Sequence, residues 1–551
     1  MEPKKENVEK KKRPNRWMGL LFICVSLLVI SLDNTILNVA LPSISTDLGA
    51  SQSDLQWIVD SYILVFAALL LTMGSVGDRI GRKRVLQFGV IWFGVFSLMA
   101  ALSKSTETLI VARALLGFGG AMIMPATLSL VTATFDDVKE RAQAIALWAA
   151  IFGLGIGVGP LLGGWLLEHY EWNSVFFVNL PVVAAALIGG HFFLEESRDE
   201  HAPSPDYTGV LLSIAALFLL VYGIIEAGVD GWEAAHVVQS LIAAGVLLVL
   251  FGIWESRASN AMLPMFLFRN PSFTGANVAM TLMMFGMFGA FFAMSQLFQS
   301  VLGYTALQAG LRLFPISVVI MITAGMSARV AARLGTKLTG GLGFLVAATG
   351  MFILSQTVEA GIAYSKLLPG MIVMSAGMGT AMSPATNSIM GSVPRRKAGV
   401  GSAMNDTTRE VGGALGVAVL GTLMNSVYLD EVASLQALLP ADQAPGAYEA
   451  VSSSIQGAHI VAQRMSLDPA TGALVNNPIA QQIVDVANAA FANGMAEAMI
   501  ISAVVMAVAA TIVFLVLPSE IRCLEDECAE EGYGLSVRDS SELEAVSAVG
   551  D

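Results

Sequence analysis

The sequence predicts an all-α membrane protein, a bundle of about fourteen transmembrane helices, and three observations carry that expectation. Composition comes first: 55% of the 551 residues are hydrophobic, 13% are charged, and the mean hydropathy is +0.68. Soluble chains carry roughly a quarter charged residues. Second, apolar runs of about twenty residues recur along nearly the whole chain, each able to cross roughly 30 Å of hydrocarbon. Lipid offers backbone groups no water to bond, so runs of this length must be helices. Third, the basic residues fall in the short segments between alternate runs, as the positive-inside rule requires.

The runs read as spans at 17–40, 55–76, 85–103, 106–128, 143–167, 174–194, 207–226, 236–254, 272–298, 306–328, 337–355, 362–388, 399–427 and 495–517. With both termini cytoplasmic, 24 of the 30 Lys and Arg lie in cytoplasmic segments, and only Lys104 and Arg464 lie outside. One missed span would scramble that partition. The basic start, 1–16, precedes an apolar run too long for a signal-peptide core and lacks a small-residue cleavage site, so it reads as a cytoplasmic tail before a retained span. The net charge of −13 owes much to ten acids between Glu520 and Asp551, in an acidic tail (518–551) expected to be solvated and disordered.

Domain organisation follows from the spans and from an internal repeat. Gly74 to Lys83 closes the second span, and a degenerate echo, Gly325 to Lys337, closes the tenth. Repeated six-span halves are a transporter signature. The expected layout is a six-helix bundle at 17–194, two inserted helices at 207–254 and a hinge-like cytoplasmic linker at 255–271. A second six-helix bundle at 272–517 follows, with a long external segment at 429–494. That segment holds six acids against Arg464 alone. It reads either as an inert surface loop or as a gating or cation-attracting element, with an amphipathic helix near Ile483 to Ala487.

The motifs resemble those of the major facilitator superfamily, and within it the fourteen-span drug:proton antiporter branch. Gly74, Asp78, Arg79, Gly81 and Arg82 match the family's cytoplasmic loop signature. In physical terms, Asp78 can cap a helix and pair with Arg82 to hold an inner gate shut. The fifth span carries Gly153, Gly155, Gly157, Gly159, Pro160, Gly163 and Gly164, similar to the family's antiporter motif. Alternate glycines permit close helix crossing, and the proline removes a hydrogen bond and bends the helix. Leu32 to Pro42 resembles the first-span motif of the drug:proton branch. Arg113 to Gly120 resembles the fourth-span motif but has Leu116 where Gln is common.

Charges within the membrane cost at least a few kcal/mol and are functional candidates by default. At 1.5 Å per residue, Asp33, Asp60 and Arg113 share a depth in the outer third of the first bundle, with Asp60 the nearest to the interface. An Arg between two carboxylates could serve a proton or a cationic substrate, or could simply lock the helices as a static pair. In the second bundle, Asp406, Arg409 and Glu410 share one face of the thirteenth span, either as a second protonation or substrate site or as a self-satisfied cluster. Glu226, Arg312 and Lys366 lie near span ends, where long side chains snorkel. The Met- and Phe-rich ninth span suits lipophilic ligands as well as it suits packing.

The resemblance implies a proton-coupled antiporter that exports lipophilic, cationic compounds across the cell membrane of a bacterium by alternating access. An exporter of a lipid, a siderophore or a self-made antibiotic fits the same residues, and a membrane sensor is the rival outside transport. An enzyme would need a nucleophile–base pair or a metal cluster. The three cysteines and five histidines show no disulfide framework and no zinc spacing. Expected partners are a small lipophilic substrate, protons and membrane lipid, with no cofactor, metal or nucleic acid. The chain is expected to act as a monomer.

Overall fold

The computed structural model describes residues 15–135, 137–198, 206–258, 261–263, 265–393, 398–439, 446–467 and 476–517. The acidic tail, Cys523, Cys528 and most of the basic start lie outside them. Every regular element among the described residues is helical. The first bundle comprises α1 (Arg16–Leu48), α2 (Gln52–Ile80), α3 (Arg82–Ala101), α4 (Thr106–Thr134), α5 (Val138–His169), α6 (Ser174–Phe177) and α7 (Asn179–Phe193). The inserted hairpin is α8 (Tyr207–Asp230) and α9 (Ala235–Arg257). The second bundle comprises α10 (Pro271–Gln296), α11 (Ala306–Thr357), α12 (Tyr364–Gly391), α13 (Ala398–Val432), α14 (Ala447–Ser453), α15 (Ile455–Met465) and α16 (Pro478–Val516).

Twelve helical stretches are long and apolar enough to cross a bilayer. Two further helices, α5 with 32 residues and α12 with 28, are long enough and pack within the bundles. The expectation of fourteen spans therefore rests on counting these two with the twelve.

Local chemistry sets where the helices start and stop. Ser51 and Asp54 form a capping box at the start of α2, and Thr305 and Gln308 form one at the start of α11. Each satisfies N–H groups that the first helical turn leaves unbonded. Pro271 and Pro478 sit in first turns, where a missing N–H costs nothing. The repeat seen in the sequence has a backbone counterpart. Gly81 (φ 126°) separates α2 from α3, and Gly335 (φ 83°) breaks α11 between its two spans. Arg79-Ile80-Gly81 and Arg333-Leu334-Gly335 thus place the same left-handed break after the second span of each bundle.

Buried apolar side chains form two cores, one drawn mainly from α1 to α8 and one from α10 to α16. They interlock at one end only: Val39 of α1 sits in the second core, while Phe292 of α10 and Ala414, Val417 and Ala418 of α13 sit in the first. The hairpin helix α8 packs on both α2 and α13, whereas α9 packs mainly on α8 and is largely exposed.

Within the external segment, α16 begins at Pro478, capped by Asn477, and runs unbroken into the last expected span. Ile483 to Ala487 belong to that helix, and α14 and α15 fold onto the second core.

Candidate functional site

The first cluster is built where α1, α2, α3, α4 and α7 meet. Asp33, Arg113, Asn179, Ser97 and Tyr62 are each no more than 3% exposed. Arg113 pairs through Nη1 with Asp33 Oδ2 and donates from Nε to the Ile58 carbonyl at 3.1 Å. Its guanidinium lies 4.3 Å from the centre of the Tyr62 ring, a favourable placement for a desolvated cation. Asn179 donates to the other Asp33 oxygen and to Ser97 Oγ, both at 3.1 Å, and Ser97 donates to the Phe176 carbonyl at 2.9 Å. The buried ion pair is thus paired and hydrogen-bonded on both carboxylate oxygens, which is the condition for tolerating it. Asn179, Ser97 and Tyr62 were not singled out in the sequence. Asn179 lies at the start of α7, inside the expected sixth span, as a single polar residue among apolar ones.

Asp60 is fully buried within the protein, and it does not share Arg113 with Asp33, so the arrangement of one Arg between two carboxylates is not formed. Among the described residues neither of its carboxylate oxygens has a hydrogen-bond partner. It lies one turn along α2 from Gln56, on the same helical face. Gln56 donates to the Val417 carbonyl at 3.2 Å and the Ala418 carbonyl at 3.1 Å, both on α13.

In the second bundle, Asp406, Arg409 and Glu410 share one side of α13, with Asp406 part-buried and Glu410 only 6% exposed. Asn405 donates to Asp406 Oδ1 at 3.3 Å, and Glu410 Oε2 is buried with no hydrogen-bond partner among the described residues. The helix that carries them, α13, packs on α2 of the first bundle.

The fifth-span motif divides into two faces. A methyl group on Gly155 or Gly159 would strike Ser31 or Thr35 of α1, and Gly163 abuts Ile36. Gly164 abuts the backbone of Ala306 and Leu307 in α11, Gly157 faces Ser317, and the Pro160 carbonyl lies against Gly310. Gly153 lies in the same helix. One stripe seats α5 in its own bundle, and the other lets it touch the opposite bundle at the interlocked end.

At the other end, Asp78 accepts from Arg82 Nε at 2.8 Å. Arg82 also donates to Ser197, from its backbone at 2.9 Å and from Nη1 at 3.2 Å. Lys83 donates from its backbone to Glu196 at 3.0 Å and from Nζ to the Leu194 carbonyl at 2.6 Å. Arg82 and Lys83 of the Gly74–Lys83 motif thus pin the turn between α2 and α3 to the segment that follows α7, while Arg79 is exposed. Gly74 lies against Pro125 of α4.

The hydrogen bonds described between the two bundles lie at the end opposite that motif. They run from Gln56 to α13, from Ser295 to the Asn38 carbonyl, and from Gln299 to the Val39 carbonyl at 2.9 Å. Thr422 and Asn425 of α13 also donate to the Ile224 and Gly228 carbonyls of α8, each at 2.9 Å. Among the span-end charges, Arg312 is held over the Tyr304 ring at 3.8 Å. Glu226, Asp230 and His236 bring one ligating atom each within 4.8 Å of one another, a grouping hidden in linear spacing by the α8–α9 turn. Pairing between His236 and Asp230 at 3.2 Å accounts for its core.

Comparison with known proteins matches this geometry to a family. The Major Facilitator Superfamily model matches residues 23–417. The chain is 36% identical over 504 residues to the multidrug efflux pump LfrA of Mycolicibacterium smegmatis, covering 91% of this chain and 96% of that one. It is 33% identical to the methyl viologen resistance protein SmvA of Salmonella typhimurium, over 86% and 93% of the two chains. A tetracenomycin C resistance and export protein of Streptomyces glaucescens is 34% identical over 75% and 77%. Among solved structures, a bacterial homologue of the human lysosomal transporter Spinster, inward-facing and unoccupied, superposes with a TM-score of 0.64 at 17% identity, over 91% and 96% of the two chains. That likeness is one of fold, and with the family match and near-full-length relatives it places the chain in the major facilitator superfamily.

Proposed function

We propose that the chain is a fourteen-span, proton-coupled exporter of lipophilic cations, with both termini cytoplasmic and the conformation described here open towards the cytoplasm. The clustering of inter-bundle hydrogen bonds at the end away from the basic loops supports that conformation. The relatives support export of toxic small molecules, and methyl viologen, named for one of them, is a planar dication. The two six-helix bundles at 17–194 and 272–517 rock about a site between them, and the pair at 207–254 leans on both.

The observation that carries the mechanism is Asp60. A charged carboxylate with no partner in a dry interface costs several kcal/mol, so Asp60 holds the exchanged proton while the outer end is shut. It lies one turn below Gln56, on the helix face that meets α13, so losing the proton there opposes closure of that same interface. Asp33 is less free, because Arg113 and Asn179 already occupy both its oxygens. We assign the Asp33–Arg113 pair to holding α1, α2, α4 and α7 in register beside the site. Glu410, whose Oε2 is buried with no hydrogen-bond partner among the described residues, binds the cation, with Asp406 one turn before it on α13. Exchange that moves net charge also draws on the membrane potential, about 2.3 kcal/mol per charge per 100 mV. The protein acts as a monomer.

The test is ethidium transport by the purified protein in liposomes with an imposed pH gradient. Export that follows the gradient is expected. Transport unaffected by collapsing both the pH gradient and the potential would rule out the coupling.

A further inference from the structure

We propose that the two short helices α14 and α15 clamp the closed outer end, with Gln456 and Gln299 as positioning residues. The inference rests on the alternating-access reading above, but it concerns a part of the chain to which that reading gives no role.

Pro42 has no N–H, so the Asn38 carbonyl four residues earlier loses its intrahelical donor. Ser295 Oγ of α10 donates to that carbonyl from the opposite bundle. Gln299 donates to the neighbouring Val39 carbonyl at 2.9 Å and to Ser295 Oγ at 3.2 Å. Separating the bundles here exchanges these hydrogen bonds for bonds to entering water, so each adds its net worth to closure.

The donors are set by an irregular turn. After Gln296 the chain makes a π-turn at Leu297–Val301, with the Leu302 N–H bonded to the Leu297 carbonyl at 2.9 Å. Such turns insert a residue and re-aim the side chains around them. Here Ser295 and Gln299 reach α1, while Ser300 reaches the external segment. Gln456, on the first turn of α15 and 3% exposed, donates to Ser300 Oγ at 2.9 Å.

The segment holding Gln456 is a folded cap. Val451, Ile455 and Ala458 are buried in the second core. Tyr428 Oη donates to the Val451 carbonyl at 2.8 Å, His459 pairs with Asn488 at 2.8 Å, and Asn477 donates to the Met465 carbonyl at 2.8 Å. The folded cap thus fixes the π-turn, and the π-turn presents Gln299, which with Ser295 at the end of α10 closes the gap to α1.

The experiment reads closure without transport. In a background of Cys24→Ser, Cys523→Ser and Cys528→Ser, Ala418→Cys is introduced as a reporter. Ala418 is fully buried in the first core from its place on α13. A maleimide labels it in detergent-purified full chain only when the outer end parts. Gln299→Leu and Gln456→Leu are each expected to raise the labelling rate about fivefold, the worth of one net hydrogen bond. Ser300→Ala should do the same, and adding Gln456→Leu to it should give no further rise. Faster labelling in Gln299→Leu but not in Gln456→Leu or Ser300→Ala would overturn the clamp, as would additive effects of the last two. Size-exclusion profiles matching the parent establish that each variant is folded. Because labelling needs neither protons nor substrate, failure of the export reading would leave these outcomes unchanged.

Discussion

Asn179 donates to Asp33 Oδ1 across 3.1 Å, completing a carboxylate whose other oxygen is held by Arg113. Removing the amide leaves a buried acceptor short of a bond. Asn179→Leu should therefore lower stability by about 1–3 kcal/mol, read as a lower melting midpoint in detergent. Arg113→Ala should cost more, since it strands a buried charge, and Asp33→Asn/Arg113→Ala together should regain stability and driven export. A double mutant that stays stable yet cannot export would return the coupling role to Asp33.

Asp60 gives the complementary experiment. Asp60→Asn keeps the shape and the neutral state but cannot cycle a proton. Export should lose its dependence on the pH gradient, while ethidium binding to purified protein remains within about twofold of the parent. Exchange of bound for free substrate across the membrane should persist. Gradient-driven export at the parent rate would exclude Asp60 as the carrier.

The two faces of α5 make separable predictions. Gly159→Ala overpacks against Thr35 inside one bundle, so it should reduce stability by about 1–3 kcal/mol. In Gly164→Ala the new methyl would fall 2.6 Å from Leu307 Cα, on the opposite bundle. Rigid-body separation can relieve that clash, so the melting midpoint should change little while the outer end opens more readily. Equal destabilisation by both would mean that α5 has no such division.

Much of this was legible in the sequence because the bilayer and the α-helix impose simple rules. Residues 155, 159 and 163 are four apart, so a common face was implied before α1 was seen against it. Basic loops likewise told the two ends apart. What stayed hidden depends on partners from distant segments. Asn179 is a single polar residue in an apolar span until Asp33 is placed beside it. Hydropathy gives the depth of Asp60 along its helix but not its burial among neighbouring helices. The amphipathic stretch at Ile483 to Ala487 is legible, but not its continuity with the last span in one helix. Gln56 and Gln299 bond to backbone carbonyls, which carry no sequence signature at all.

The Asp78–Arg82 pair offers a test that separates gate from cavity. It is part-exposed, 36% and 21% at the two side chains, so by itself it is worth only about 1 kcal/mol or less. Its position matters more, since Arg82 also reaches Ser197 and so ties the α2–α3 turn to the segment that follows α7. Asp78→Asn removes the charge that orients the guanidinium without touching either acidic cluster. Maximal export should fall about tenfold while substrate affinity stays within about twofold, the pattern of a lost step rather than a lost contact. Arg82→Lys should resemble it, because an ammonium keeps the charge but lacks the fork that spans Asp78 and Ser197. The measurement is substrate affinity by equilibrium binding beside initial export rates in liposomes. A large loss of affinity with a normal maximal rate would move Asp78 from the gate to the substrate path.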